Sequence, residues 1–131
     1  ERARLPPRVI KAHVIHDQIV SGLANLTSEE IEHLVVAYEP VWAIGTGKNA
    51  TARDVEEVAT MIHDQIKALY GEKPAEDVRI LYGGSVSDEN ADQYLGIDRI
   101  DGLLVGGASL NAHAFAKIVD LAHTKHKTNT K

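Results

Sequence analysis

The stretch Leu34-Val35-Val36-Ala37-Tyr38-Glu39-Pro40 decides how this chain folds. Its first five residues, Leu34 to Tyr38, form a continuous apolar run, which is typical of a strand covered on both faces, as in a parallel sheet. Pro40 disfavours a helical backbone at the residue before it, so the Glu39 carboxylate is expected to point off the carboxyl end of the strand. The stretch therefore predicts a buried strand with an acid at its tip.

The same arrangement occurs twice more along the chain. The apolar strand pattern of residues 78–82 is followed by Gly83-Gly84-Ser85, and that of residues 102–105 is followed by Gly106-Gly107. Helical patterns separate the strand patterns, which is typical of βα units around a parallel sheet. In such proteins, ligands bind at the carboxyl edge of the sheet. The sequence thus predicts an α/β fold with a site built from these strand ends.

Apolar spacing predicts about four helices beside the three strands. Pro6 and Pro7 suit a helical first turn, Thr27 with Glu30 fits a capping box, and Gly71 suits a left-handed helix end. Residues 87–95 read as a short helix. The expected inward residues of the longer helices are Ala12, Ile15, Ile19 and Leu23, then Val55, Val58, Ala59, Ile62, Ile66 and Leu69, then Phe115, Ile118, Val119 and Ala122. We predict one domain over residues 1–123 and a polar, frayed tail over 124–131.

Composition excludes several classes of protein. The chain has 131 residues, 44% of them apolar and 25% charged, which is ordinary for a globular protein. No apolar run approaches the roughly 20 residues that span a bilayer, so we predict no membrane span. The formal charge of −5 argues against a nucleic-acid surface. The chain opens on Glu1 rather than Met, so we expect residues before it; cytoplasmic location is the default expectation.

Neither a metal nor a cofactor is predicted. The absence of cysteine excludes disulfides and thiolate metal sites. The pairs His13/His16 and His123/His126 have helical spacing but lack partnering carboxylates.

Glu39 is the candidate general base. A carboxylate in a partly dry pocket has a raised proton affinity, which suits proton transfer near neutral pH. From position alone, pairing of Glu39 with a neighbouring cation at a strand end is the more common arrangement.

The segment after Glu39 has the composition of a lid. Bulky Trp42 and Ile44 lie between a proline-stiffened arm and the Gly45-Thr46-Gly47 arm, where glycine tolerates large dihedral changes. Closure would place the Gly45 N–H on an anion. A static loop with Trp42 as an apolar plug is the alternative.

The paired glycines suit a phosphate. They let backbone N–H groups approach the anion closely, and a helix N-terminus after each pair favours negative charge. One Gly-Gly is weak evidence, but two on consecutive strand ends match the phosphate sites of eight-stranded α/β barrels.

Three motifs together resemble a known family. AYEPVWAIGTGK (37–48), ILYGGSV (80–86) and DGLLVGGASL (101–110), in this order, closely resemble the last three βα units of the triosephosphate isomerase family. The resemblance extends from about Lys11 to Ala122. It implies part of a TIM (β/α)8 barrel, namely the last three strands, because a complete barrel needs roughly 250 residues.

The resemblance also implies roles for individual residues. Glu39 matches the catalytic base, Tyr82 matches a tyrosine that hydrogen-bonds the closed loop, and Leu104 resembles an apolar residue that shields the base from water. The backbone donors to the substrate phosphate are expected at Gly45, Ser85, Gly106 and Gly107. The mobile loop is expected to comprise Pro40, Val41, Trp42, Ala43, Ile44, Gly45, Thr46, Gly47 and Lys48.

The implied reaction interconverts dihydroxyacetone phosphate and D-glyceraldehyde 3-phosphate through an enediol(ate), in glycolysis and gluconeogenesis. The family's site also uses a lysine after the first strand and a histidine after the fourth, both expected upstream of Glu1. The isolated chain is therefore expected to be inactive, and the full-length parent to be a homodimer. Two alternatives are another phosphate-binding barrel enzyme and a non-catalytic half-barrel that serves as a binding or assembly module.

One departure from the family pattern is visible. Many relatives carry an arginine where this chain has His63, paired with an aspartate that matches Asp101. We expect the replacement to affect stability rather than chemistry.

Overall fold

The computed structural model describes residues 7–40 and 49–129 of the chain. The helices and strands follow in the order α1 (Pro7–Leu23), α2 (Ser28–Glu32), β1 (Val35–Tyr38), α3 (Ala52–Tyr70), α4 (Glu72–Asp77), β2 (Arg79–Tyr82), α5 (Ala91–Leu95), β3 (Gly102–Leu103), a 3-10 helix (Gly107–Leu110) and α6 (Ala112–Asn129).

The strands form a parallel sheet in the order β1-β2-β3. Tyr38 lies opposite Tyr82 in β1 and β2, and Tyr82 lies opposite Leu103 in β3. The α/β class and the three parallel strands predicted from the sequence are confirmed. A three-stranded sheet of this kind is consistent with part of a (β/α)8 barrel.

The chain divides into two compact units, one of Glu1–Leu34 with Thr60–Val78 and the other of Val35–Ala59 with Arg79–Lys131. The first unit buries apolar side chains of α1, α2 and the second half of α3, including Ile15, Ile31 and Ile66. The second unit contains the whole sheet, and Ile80 and Tyr82 of β2 are buried in its core. The candidate site therefore belongs to the second unit.

The structure confirms several helix ends that local sequence signals predicted. Helix α1 is described from Pro7 onward, so Pro7 lies in the helix, as expected. Thr27 and Glu30 form the predicted capping box of α2, with Thr27 Oγ1 accepting the Glu30 N–H and Glu30 Oε1 accepting the Thr27 N–H, both at 3.2 Å. Gly71 follows α3 with a φ of 99°, a conformation that glycine tolerates best.

The described helices differ in number and extent from the expected ones. About four helices were expected, but six α-helices and a 3-10 helix are described. Helix α4 lacks an apolar repeat and contains Pro74, which is tolerated because it lies in the first turn. Helix α6 is described as far as Asn129, past the expected start of the polar tail at Thr124, and the fraying of that tail stays a prediction.

Some residues that were expected to be buried are exposed. Phe115 and Val119 of α6 and Leu69 of α3 are exposed. The strand β1 was expected to be covered on both faces, but Val35 is 53% exposed and Ala37 is exposed as well. Within the described residues, β1 has a strand neighbour on one side only.

Candidate functional site

The carboxyl ends of the three strands lie at one edge of the sheet, because all three strands are parallel and paired in register. Two backbone hydrogen bonds continue this pairing past the strands. The Gly83 N–H donates to the Tyr38 carbonyl at 2.8 Å, and the Leu104 N–H donates to the Tyr82 carbonyl at 2.8 Å. Glu39, Gly83 and Leu104 are consequently held at adjacent strand tips.

Gly83 lies between the side chains of Glu39 and Leu104. A Cβ placed on Gly83 would lie 3.0 Å from Glu39 Cγ and 3.2 Å from Leu104 Cβ, both tighter than ordinary van der Waals contact. The absence of a side chain at this position is what lets the acid and the apolar residue approach so closely. The sequence analysis placed Gly83 in a glycine pair suited to a phosphate but did not predict that it separates Glu39 from Leu104.

The surroundings of Glu39 differ from the expectation. The sequence pattern suggested a partly dry pocket, yet Glu39 is exposed, whereas Pro40 after it is buried. Leu104 is exposed as well. Among residues 7–40 and 49–129, the acid lies beside an apolar residue without the enclosure that was expected around it.

A side-chain clamp shapes the turn that contains Ser85. The Asn90 amide donates from Nδ2 to the Ser85 carbonyl at 2.8 Å, and Asn90 Oδ1 accepts the Ser87 N–H at 2.7 Å. In return, Ser87 Oγ accepts the Asn90 N–H at 3.2 Å. This reciprocal pair caps the turn of residues 87–90, across which the Ala91 N–H donates to the Ser87 carbonyl at 3.0 Å, and regular helix follows from Ala91. The Ser-x-x-Asn spacing at 87–90 was the signal for this clamp.

Gly106 and Gly107 lie at the start of the 3-10 helix. The Gly106 carbonyl accepts the Ser109 N–H at 2.9 Å and the Ser109 hydroxyl at 2.6 Å. A Cβ on either glycine would meet nothing within 4 Å, so both backbones border open space. Leading N–H groups of a helix have no partner within it and remain available to an anion. The expected helix after the second glycine pair is therefore present, as a short 3-10 helix before α6.

Tyr82 is fully buried, and its hydroxyl has no hydrogen-bond partner among the described residues. Its ring packs between Tyr38, with centroids 6.3 Å apart, and Tyr94, with centroids 4.3 Å apart. Buried polar groups nearly always have a partner, so this hydroxyl is an exception that requires an explanation. The sequence assigned it a bond to the loop.

Asp101 and His63 each have partners of their own. Asp101 Oδ2 accepts the Ile80 N–H at 2.8 Å, and the Asp101 N–H donates to the Ile80 carbonyl at 2.8 Å. Burial raises the pKa of the Asp101 carboxyl, although the Ile80 bond and the charge of Arg79 act in the opposite direction. His63 is buried, with Nε2 3.1 Å from Glu76 Oε1 on α4.

Part of the predicted site lies outside the described residues. Residues 41–48 comprise nearly all of the predicted loop and the predicted phosphate donor Gly45. Among residues 7–40 and 49–129, no three His, Cys, Asp or Glu side chains lie close enough together to hold a metal ion. In the same residues, no helix has the length and apolar character to cross a membrane.

Comparison with known proteins identifies relatives over most of the chain. The family model described as triosephosphate isomerase matches residues 8–122. A triosephosphate isomerase of Clostridium tetani is 48% identical over 111 residues, which cover 85% of this chain and 44% of the relative. That of Carboxydothermus hydrogenoformans is 49% identical over 112 residues, covering 86% of this chain and 45% of the relative.

A triosephosphate isomerase of Caldanaerobacter subterraneus subsp. tengcongensis is 52% identical over 107 residues, covering 82% of this chain and 43% of the relative. This chain therefore spans less than half the length of these relatives. With the family model matched from residue 8 to residue 122, the chain belongs to the triosephosphate isomerase family.

Proposed function

We propose that this chain supplies the base and much of the phosphate site of a triose-phosphate isomerase, which interconverts dihydroxyacetone phosphate and D-glyceraldehyde 3-phosphate. The observation that carries the proposal is the junction at Gly83, where the Glu39 side chain lies beside Leu104 at the carboxyl edge of a parallel sheet. Family membership supports the substrate class.

In this reaction Glu39 removes a proton from the carbon next to the substrate carbonyl. The electron pair of the broken C–H bond forms a carbon–carbon double bond, and the carbonyl π pair moves to oxygen, which produces the enediol(ate). The carboxylic acid then returns the proton to the neighbouring carbon. The hydroxyl proton on the first carbon passes to the oxygen of the second, and the electron pair left on the first oxygen re-forms a carbonyl there as the carbon–carbon π pair takes up the returned proton, so the base is regenerated. A positioned carboxylate contributes roughly 10²–10⁴-fold to such a step.

The substrate phosphate binds to backbone N–H groups of Ser85, Gly106, Gly107 and Gly45. The open space beside Gly106 and Gly107 and the Asn90 clamp on the Ser85 turn support the first three assignments. Holding the phosphate still prevents its ester bond from aligning with the enediolate π system, which would expel phosphate. Leu104 shields the base from water.

The Tyr82 hydroxyl donates a hydrogen bond to the loop over residues 40–48. The support is that this hydroxyl is buried without a partner among the described residues. The complete protein acts as a cytoplasmic homodimer, and the carbonyl is polarised by a histidine that precedes the segment matched here. Glu39 alone would remove a carbon-bound proton slowly.

A chimera tests this proposal. Residues 8–122 replace the aligned segment of the Clostridium tetani relative, and isomerisation of D-glyceraldehyde 3-phosphate is measured. We expect enzyme-like turnover, and a loss of at least about 10²-fold in kcat for Glu39→Gln, because an amide cannot accept the proton.

The control is Glu56→Gln, which changes an exposed carboxylate of α3 and leaves turnover intact. A folded chimera without activity, or a Glu39→Gln variant as fast as its parent, would refute the proposal.

A further inference from the structure

Ser85, whose N–H is assigned to the substrate phosphate, is the centre of a three-residue turn. The Val86 N–H donates to the Gly84 carbonyl at 2.9 Å, which closes a γ-turn around Ser85. This bond joins the two peptide units that flank Ser85. The first unit carries the Gly84 carbonyl and the Ser85 N–H, and the second carries the Ser85 carbonyl and the Val86 N–H. The direction of the Ser85 N–H therefore depends on how both units are held.

The second of these peptide units is held at both of its polar groups. Asn90 Nδ2 donates to the Ser85 carbonyl at 2.8 Å, while the Val86 N–H is bonded to the Gly84 carbonyl. In a trans peptide unit the N–H and the carbonyl point in opposite directions, and no peptide bond among the described residues is cis. Because the Gly84 carbonyl is bonded to this fixed unit, the Ser85 N–H is directed away from the turn.

Asn90 is itself fixed by the buried helix that follows it. Its Oδ1 accepts the Ser87 N–H at 2.7 Å, and its N–H donates to Ser87 Oγ at 3.2 Å. Asn90 directly precedes α5, in which Tyr94 is fully buried and donates its hydroxyl proton in a hydrogen bond to the Ala50 carbonyl at 2.7 Å. The amide that holds the Ser85 carbonyl is thus attached to the core of the second unit.

We propose that Asn90 is a positioning residue of the phosphate site, which directs the Ser85 N–H by holding the carbonyl of the same residue. Its effect on catalysis rests on the function proposed above. A hydrogen bond weakens steeply when its donor points away from the acceptor. Loss of the Asn90 amide should therefore weaken the contact with the phosphate and leave the Glu39 base in place.

The structural part is tested in the 131-residue chain by hydrogen–deuterium exchange. Asn90→Ala removes the amide, so the N–H groups of residues 85–86, resolved by overlapping peptides, are expected to exchange about 5-fold faster. Asn111→Ala is the matched control, because Asn111 Oδ1 also accepts a backbone N–H, that of Ala114 at 3.0 Å. It should speed exchange near Ala114 and leave residues 85–86 within about twofold of the parent chain.

The catalytic part is tested in the chimera with the Clostridium tetani relative, using two substrates that differ only in the phosphate. For Asn90→Ala, kcat/KM for D-glyceraldehyde 3-phosphate should fall about 5-fold, because one charge-assisted hydrogen bond is weakened. The rate of carbon-bound proton exchange in D-glyceraldehyde, measured by NMR in D₂O, should stay within about twofold. Asn111→Ala should change neither rate.

Asn90→Ser is a second variant that separates positioning from stability. Its hydroxyl can still accept the Ser87 N–H but is too short to reach the Ser85 carbonyl, so it should show the same substrate-dependent loss as Asn90→Ala. An equal loss with both substrates, no loss with either, unchanged exchange at residues 85–86, or failure of both Asn90 variants to fold would overturn the positioning role. If the unsubstituted chimera is inactive, the proposed function fails, and exchange in the 131-residue chain decides whether Asn90 holds Ser85.

Discussion

The position of the Glu39 carboxylate depends on the length of its side chain, and removal of one methylene group would move it. Glu39→Asp keeps the charge but withdraws the carboxylate from the position beside Gly83 and Leu104. Misplacement of a base by about 1 Å can reduce a rate by about 10²-fold. In the chimera we therefore expect kcat to fall by about two orders of magnitude with KM little changed, measured by steady-state kinetics. Retention of nearly full turnover would mean that Glu39 is not the base.

Gly84 lies against the buried hydroxyl end of Tyr82. A Cβ on Gly84 would overlap the Tyr82 hydroxyl, and this ring cannot move aside freely because it is packed between two other tyrosines. Overpacking of this kind typically destabilises a protein by about 1–3 kcal/mol. We expect this loss in the free energy of unfolding of Gly84→Ala, measured by urea denaturation.

Gly22→Ala is the matched control for that substitution. Gly22 lies in α1, where a Cβ meets nothing within 4 Å, so alanine should stabilise the chain by about 0.5–1 kcal/mol. If both variants were equally stable, the overlap at Tyr82 would have no energetic weight.

The free energy of unfolding is expected to depend on pH through the Asp101 carboxyl, and the sign of that dependence follows from its pKa. Because burial raises its pKa in the folded state, the folded chain binds this proton more tightly than the unfolded chain does. The resulting stabilisation is present below the ordinary aspartate pKa of 3.8 and is lost as pH rises through the higher folded pKa. Asp101→Asn removes this titration and keeps an oxygen to accept the Ile80 N–H, so its stability relative to wild type should increase between pH 3 and pH 7.

Chemical denaturation of both chains across that pH range measures the difference. Asp101→Ala serves as the comparison, since it also removes the titration but leaves the Ile80 N–H without its acceptor. A stability difference between Asp101→Asn and wild type that decreases with pH would contradict the assigned sign.

The first turn of helix α3 has a side-chain cap at Thr51. Thr51 Oγ1 accepts the Asp54 N–H at 3.1 Å, which satisfies one of the unpaired donors of the first turn. Thr51→Ala should therefore reduce the free energy of unfolding by about 1 kcal/mol, measured by thermal or urea denaturation. Thr51→Ser retains the hydroxyl and should keep most of the stability; an equal loss in both variants would show that the methyl group, not the cap, matters.

The elements that sequence reasoning identified were those with a local physical signal. The apolar spacing of α1, the capping box of α2 and the glycine after α3 are each decided by neighbours within a few residues. Helix α4 lacks such spacing; it packs beside α2, and Lys73 lies 3.1 Å from Glu32 of that helix. Its existence depends on a partner distant in sequence, which a local pattern does not reveal.

In the candidate site, too, local features could be predicted from the sequence and tertiary contacts could not. The residue types at strand ends predicted Glu39, Ser85 and the glycine pairs, because backbone geometry restricts what those positions tolerate. The hydrogen bonds of Asn90 and Tyr94 were not predicted, because they depend on which backbone carbonyl each side chain reaches after folding. The exposure of Glu39 could not be read from the sequence either, because enclosure depends on what packs around the strand tip.

Exposed apolar surface on the second unit predicts how the whole chain behaves in solution. Val35 on β1 is 53% exposed, Leu110 is 90% exposed, and Phe115 and Val119 of α6 are exposed too. Parallel sheets are normally covered on both faces, and unpaired strand edges promote association between chains. The 131-residue chain alone should therefore bind the dye ANS and self-associate, with no measurable isomerase activity.

Addition of the part of a relative that precedes the aligned region should reverse this behaviour. When the segment of the Clostridium tetani relative that precedes the aligned region is co-expressed with the chain, we expect ANS fluorescence to fall and isomerisation of D-glyceraldehyde 3-phosphate to appear. Val35→Lys places a charge on the exposed face of β1, so it should prevent this rescue while leaving the far-ultraviolet circular dichroism of the isolated chain unchanged. Enzyme-like turnover by the isolated chain would show instead that it assembles a complete active site from its own copies.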